Sequence, residues 1–179
     1  FLQKAENLRF IARYGSGMEN INIQQAISLG IKCFNSAEGN RIAVGEHALT
    51  LILCLFNRII KARDELKDKI WNREENRGLE LEGKTVGIIG YGNTGSALAE
   101  KLRGFNCRII AYDKYKSHFS NAVVEEVNIK HIYKYSDVVS LHVPLQDDTL
   151  HLFNSVFIEN MHKPFYIINT SIHKNYINK

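Results

Sequence analysis

Six consecutive residues carry the clearest chemical pattern in the chain. Gly90-Tyr91-Gly92-Asn93-Thr94-Gly95 repeats the spacing G-x-G-x-x-G. Alone the pattern is weak; it gains force where it leaves a strand and opens a helix. Here it follows the apolar run Val86-Gly87-Ile88-Ile89 and precedes a helical segment. The first glycine permits a tight turn, the second lets backbone approach a pyrophosphate, and the third lets helix and strand pack closely. The N–H groups and positive dipole end of the helix then face the phosphates. Asp113 lies 18 residues beyond Gly95, after Ala111-Tyr112. That is close to the ~20-residue separation expected of a carboxylate that takes ribose hydroxyls. A carboxylate there would repel a 2′-phosphate, so NAD rather than NADP is the expected cofactor. A glycine-rich turn that holds no ligand is the bland alternative.

The elements that must position these residues can be read from periodicity. Residues 84–89 and 108–112 read as buried strands, and 93–103 as the helix between them, closed by Gly104. Residues 128–133 read as a short helix, 138–143 as a strand, 154–160 as a helix capped by Asn154, and 165–168 as a last strand. Strands separated by short helices imply right-handed βαβ crossovers. The fold class is therefore α/β, a Rossmann-type parallel sheet with helices on both faces. Before it lie a strand candidate at 8–14, a helix at 22–29 that stops at Gly30, and a strand at 31–34. One long helix should begin at an Asn40 cap and run to about Asp68. Residues 71–83 form a polar link. The expected organisation is 1–40 as part of a smaller α/β domain and 41–179 as the sheet domain.

Composition narrows the function. The chain has 179 residues, 45% hydrophobic and 23% charged, which fits a folded domain rather than disorder. Net charge is +4 without a basic block, and residues 64–70 alternate acids with lysines as a solvated helix face does. Nucleic acid is not the expected partner. The longest apolar run, 48–56, is too short for a bilayer, so no membrane partner is expected. Cys33, Cys54 and Cys107 are widely spaced, without Cys-x-x-Cys, and read as small core hydrophobes in a reducing cytoplasm. No metal site is assigned.

With these motifs in place the chain resembles the D-isomer-specific 2-hydroxyacid dehydrogenase family, most closely its 3-phosphoglycerate dehydrogenase branch. The resembling text begins with Arg13-Tyr14-Gly15-Ser16-Gly17, Glu19-Asn20-Ile21 and Gly39-Asn40. It continues through Val44-Gly45-Glu46-His47, the glycine motif with Asp113, Ser136 to Leu145, and Asn169-Thr170-Ser171. The resemblance implies a smaller domain that holds the substrate and a larger one that holds NAD, usually in a homodimer. It implies contact of Ser16 and Gly17 with the substrate, and of Asn93 and Thr94 with the pyrophosphate. It places His142, Val143 and Pro144 beside adenine and ribose, and Thr170 near the nicotinamide ribose. His142 is not the family's catalytic histidine and reads as a loop-shaping, hydrogen-bonded residue. The implied substrate is a 2-hydroxy or 2-keto acid, 3-phosphoglycerate first among them.

One departure bears on mechanism. Where the family carries a substrate-orienting arginine, this chain has Ile172, followed by His173. Isoleucine cannot hold a carboxylate or polarise a carbonyl. The family's catalytic histidine and its orienting glutamate would fall beyond Lys179, so the chain reads as cut at both ends and inactive alone. No catalytic residue is assigned. The rival expectation is a non-catalytic, NAD-binding or corepressor-like module.

Overall fold

The computed structural model describes residues 2–18, 20–144, 146 and 148–171. Contacts divide the chain into two units, Phe1–Ile42 and Ala43–Lys179. In the first, β1 (Phe10–Arg13) and β2 (Lys32–Asn35) pair in parallel, with Phe10 opposite Lys32. The crossover is α1 (Ile23–Ser28), whose cap is Asn22: its side chain accepts from the Gln25 N–H at 3.0 Å. Strand β1 is shorter than the run 8–14 that suggested it, and β2 lies one residue later than the expected 31–34.

The second unit is a five-stranded parallel sheet in the order β5-β4-β3-β6-β7. The strands are β3 (Thr85–Ile89), β4 (Arg108–Tyr112), β5 (Glu125–Glu126), β6 (Val138–Leu141) and β7 (Tyr166–Asn169). Between them run α4 (Asn93–Leu102), α5 (Ile129–Tyr135) and α6 (Ser155–Asn160). Asn128 and Asn154 cap α5 and α6 through their side-chain oxygens, at 3.1 and 2.9 Å. The sheet is apolar on both faces, as a doubly covered parallel sheet must be. Val86, Ile88, Ala111 and Val138 face one core with Leu98 and Leu102 of α4. Ile89, Ile110, Val139 and Leu141 face the other, with Ile132 of α5 and Phe157 of α6. Burying each large aliphatic side chain contributes roughly 1.5–3 kcal/mol, which makes strand register insensitive to the polar loops.

Several sequence expectations are corrected. The single helix expected from 40 to 68 is two, α2 (Arg41–Phe56) and α3 (Ile59–Lys67), bent by 58°. Arg58 adopts a left-handed conformation at φ 50°, which breaks the hydrogen-bond ladder, and the Phe56 carbonyl accepts from Leu79 N–H instead. The apolar period continues across the break, so spacing alone could not show it. Asn40 does not cap α2, because its Oδ1 accepts no hydrogen bond among the described residues. Helix α4 is closed by a 3₁₀ turn, Arg103–Phe105, and the left-handed residue is Asn106 at φ 50°, not Gly104. The three cysteines are free and half-buried rather than full core residues. Strand β5 escaped notice because its two residues are both glutamates.

Candidate functional site

Strand β3 pairs with β4 on one side and β6 on the other, both in parallel. The chain therefore leaves β3 in one direction and later returns to its opposite flank. Crevices of this kind, beyond the carboxyl ends of the strands, are where α/β sheets hold ligands. The residue that follows β3 is Gly90, at φ 93°, a conformation that L side chains rarely adopt. A Cβ there would also lie 2.5 Å from the His142 carbonyl oxygen. At Gly95 a Cβ would lie 2.1 Å from the Gly90 carbonyl, so α4 can approach the turn only because this residue has no side chain.

Gly92 differs from both. Its φ of −88° suits any residue, and a Cβ built on it meets nothing within 4 Å among the described residues. Packing therefore gives no reason for a glycine here, whereas an occupant lying on the backbone would. Among the described residues no side chain caps α4, and the Ser96 N–H, donating to the Gly92 carbonyl at 3.0 Å, makes the first bond of the helix. The amides of Asn93, Thr94 and Gly95 lead this uncapped, ten-residue helix, as an anion site requires. This open cradle fits the pyrophosphate of a dinucleotide.

Asp113 closes the side nearest β4. Its Oδ2 accepts from the Tyr91 N–H at 2.7 Å, and its Oδ1 from Tyr115 and Lys116 N–H at 2.9 and 3.0 Å. Sequence reasoning assigned this carboxylate to ribose alone; it also ties the glycine turn to the loop after β4. Lys116 Nζ donates back to the Tyr91 carbonyl at 3.2 Å, and the Tyr91 ring stacks on Phe119 at 4.6 Å. An open cavity of about 630 Å³ lies beside this loop, lined by Asp113, Lys116, Ser117, Glu126 and Asn128 among others. Asp148 also went unread: it joins the loops after β4 and β6, accepting from Lys114 Nζ at 2.6 Å and from the Tyr115 hydroxyl. Nothing in the spacing of residues 114, 115 and 148 marks that cluster.

On the other flank of β3 the structure places His142, Val143 and Pro144 at the end of β6, and Thr170 at the end of β7. Ser171 Oγ donates to the Val143 carbonyl at 3.2 Å, so these two loops are joined. His142 is 8% exposed, with Nε2 2.8 Å from Ser140 Oγ and Nδ1 3.1 Å from Thr94 Oγ1. Burial pushes its imidazole down to about 4, so the ring is neutral at pH 7. Asp137, inside the resembling stretch, lies at the opposite end of the sheet. It accepts from Thr85 N–H and Lys163 Nζ, both at 2.8 Å. Burial opposes its ionisation, but the Lys163 ammonium and the Thr85 amide hold it below its ordinary value. That is a structural task.

Gly90, Gly92, Asn93, Thr94, Gly95, Asp113, His142, Val143, Pro144 and Thr170 thus all stand at one end of one sheet. Ser16 and Gly17 follow β1 in the first unit, where the Asn35 amide donates to the Ser16 carbonyl at 2.8 Å. Ile172 and His173 lie outside the described residues.

Residues 49–173 match the family model described as "D-isomer specific 2-hydroxyacid dehydrogenase, NAD binding domain". The chain is 38% identical to the hydroxypyruvate reductase of Thermotoga maritima over 95% of its own length and 55% of that protein. It is 33% identical to the D-3-phosphoglycerate dehydrogenase of Archaeoglobus fulgidus over 95% of its length and 33% of that protein. An NAD-dependent formate dehydrogenase from Staphylococcus aureus, solved in complex with NAD, superposes with a TM-score of 0.85 at 27% identity. That match covers 99% of this chain and 54% of the other. The chain spans between a third and just over half of the curated relatives named here. It belongs to the D-isomer-specific 2-hydroxyacid dehydrogenase family and carries that family's NAD-binding domain.

Proposed function

We propose that this chain is the NAD-holding part of an oxidoreductase acting on the CH–OH group of a 2-hydroxy acid, with 3-phosphoglycerate the first candidate. The open space over Gly92 at the uncapped start of α4 carries the reading, because it gives a backbone cradle with no packing reason to exist. Gly92, Asn93, Thr94 and Gly95 would hold the pyrophosphate, and Asp113 the adenosine ribose. His142, Val143 and Pro144 would wall the cofactor on the β6 side, with Thr170 toward the nicotinamide ribose. Bound NAD supplies the hydride acceptor. Ser16 and Gly17, with their unit as part of a substrate domain, would meet the acid's carboxylate. The sequence resemblance to 3-phosphoglycerate dehydrogenases supports that substrate, although relatives also include a hydroxypyruvate reductase and a D-lactate dehydrogenase. Ile59, Ile60, Leu66, Ile70 and Trp71 expose apolar surface on and after α3, which supports a two-fold homodimer. The three free thiols support a reducing cytoplasm.

A second reading has its own warrant. Ile172 occupies the position of the family's arginine, and it favours a non-catalytic, NAD-binding or corepressor-like role for the chain. Both readings are separated by adding keto acids to the NADH complex of the 179-residue chain. NADH fluorescence should respond to phosphohydroxypyruvate before pyruvate or glyoxylate, with no appreciable oxidation in either the parent or Ile172→Arg. Turnover near one per second would refute the non-catalytic reading. No response to any keto acid would refute the substrate assignment.

A further inference from the structure

His142, Ser140 and Thr94 form a chain of hydrogen bonds from the sheet interior to the first turn of α4. Ser140 lies on β6, level with Ile88 and Ile168, and has no solvent exposure. Its Oγ has one hydrogen-bond partner among the described residues, His142 Nε2 at 2.8 Å. On the far side of the ring, Nδ1 lies 3.1 Å from the hydroxyl of Thr94, a half-buried residue of the glycine motif. The His142 backbone fixes the ring, since its N–H donates to the Ile89 carbonyl at 2.8 Å and its own carbonyl packs against Gly90.

A neutral imidazole has one donor and one acceptor, so two arrangements are open. If Nε2 carries the proton, it donates to Ser140 Oγ and the hydroxyl hydrogen of Ser140 is left in the core without an acceptor. Thr94 must then turn its own hydrogen inward to Nδ1. If Nδ1 carries the proton, Ser140 donates to Nε2, Nδ1 donates to Thr94 Oγ1, and every buried donor is used. Buried polar groups are nearly always satisfied, which selects the second arrangement.

We propose that His142 is held as the Nδ1–H tautomer and acts through Thr94: by donating to Thr94 Oγ1 it leaves the threonine hydrogen facing the cofactor's pyrophosphate. His142 is thereby a positioning residue that sets the polarity of a hydroxyl at the cradle. The proposal rests on residues 90–95 being that cradle. It also explains why a serine in the otherwise apolar β6 and a histidine just after it, rather than two aliphatic residues, fill this buried space.

Long-range ¹H–¹⁵N spectra of the histidine-labelled chain read the tautomer directly. The expected form is Nδ1–H, the less common one for a free imidazole; an Nε2–H signal would overturn the proposal. NADH affinity across a double-mutant cycle gives the second test. Thr94→Val should weaken NADH about tenfold through loss of a hydrogen bond to a charged group. His142→Leu should cost a similar factor, and the pair no more than Thr94→Val alone. His142→Asn, whose amide can donate from the Nδ1 position, should recover most of the affinity. Additive losses, or an asparagine variant no better than leucine, would mean that His142 serves packing only. Should His142→Leu fail to fold, the tautomer and the threonine and asparagine variants decide. A parent chain that binds no NADH would remove the cradle and this inference together, whereas binding unaffected by Thr94→Val would remove the inference alone.

Discussion

Two glycines three residues apart should respond in opposite ways to a side chain. At Gly92 the backbone angles suit any residue and a Cβ has no neighbour within 4 Å among the described residues. Gly92→Val should therefore alter stability by no more than about 1 kcal/mol, the scale of an N-cap exchange. The same side chain would fill the space where a pyrophosphate must touch backbone, so NADH affinity should fall at least a hundredfold. At Gly95 the Cβ of an alanine would sit 2.1 Å from the Gly90 carbonyl oxygen and 3.1 Å from Ile88 Cγ2. Ordinary contact needs more than 1 Å of extra room, and neither partner is the end of a flexible side chain. Moving α4 away from β3 disturbs a core that includes Leu98, Leu102 and Ile88. Gly95→Ala should cost about 3 kcal/mol, the upper range for overpacking a core. Urea melts followed by circular dichroism, paired with NADH titrations on the same samples, measure both quantities. Stable, NADH-binding Gly92→Val would refute the cradle, and harmless Gly95→Ala would refute the packing argument.

Three further outcomes follow from the same geometry. The chain should prefer NADH to NADPH by about 1.5–3 kcal/mol, because the Asp113 carboxylate would face the 2′-phosphate; competitive titration giving equal affinities would contradict this. His142 should make the fold acid-sensitive between pH 6.5 and about 4. Its folded value lies below its unfolded one, so the unfolded chain binds more protons in that window and stability falls with pH, by roughly 3 kcal/mol in total. Urea midpoints against pH should show that slope, and His142→Asn should flatten it. Asp137→Asn should destabilise the sheet by about 1.5–3 kcal/mol, since the amide forfeits the charge that Lys163 and the Thr85 N–H stabilise. That loss should be present at pH 7 and shrink as pH falls below the ordinary carboxylate value of 3.8, where the unfolded chain takes up a proton before the folded carboxyl does; a pH-independent loss would point to packing instead.

Legibility in the sequence followed the range of the interactions. The alternation of apolar strands with short helices was readable because the central strands β3, β4 and β6 bury both faces and leave apolar runs, as in Val86 to Ile89. The cap at Asn154 was readable because a cap bonds three residues ahead, whereas Asn22 and Asn128 were legible only as helix starts and Asn40 was misread as a cap. The glycine motif was readable because its tasks are local. The break at Arg58 was hidden, since it depends on Leu79 replacing a helix bond from outside the helix. The second task of Asp113 was hidden as well: it accepts from Tyr91, 22 residues earlier, and no pattern predicts which oxygen meets which amide. The Lys114, Tyr115 and Asp148 cluster joins loops more than 30 residues apart and leaves no periodic trace.

The most direct test of the account is an amide NMR titration of the ¹⁵N-labelled chain with NADH. One-to-one saturation is predicted, with the amide signals of Gly92, Asn93, Thr94 and Gly95 moving together with those of Tyr91 and Asp113. A well-dispersed spectrum that does not change up to millimolar NADH, or saturable shifts confined to residues away from the carboxyl ends of β3, β4 and β6, would contradict it.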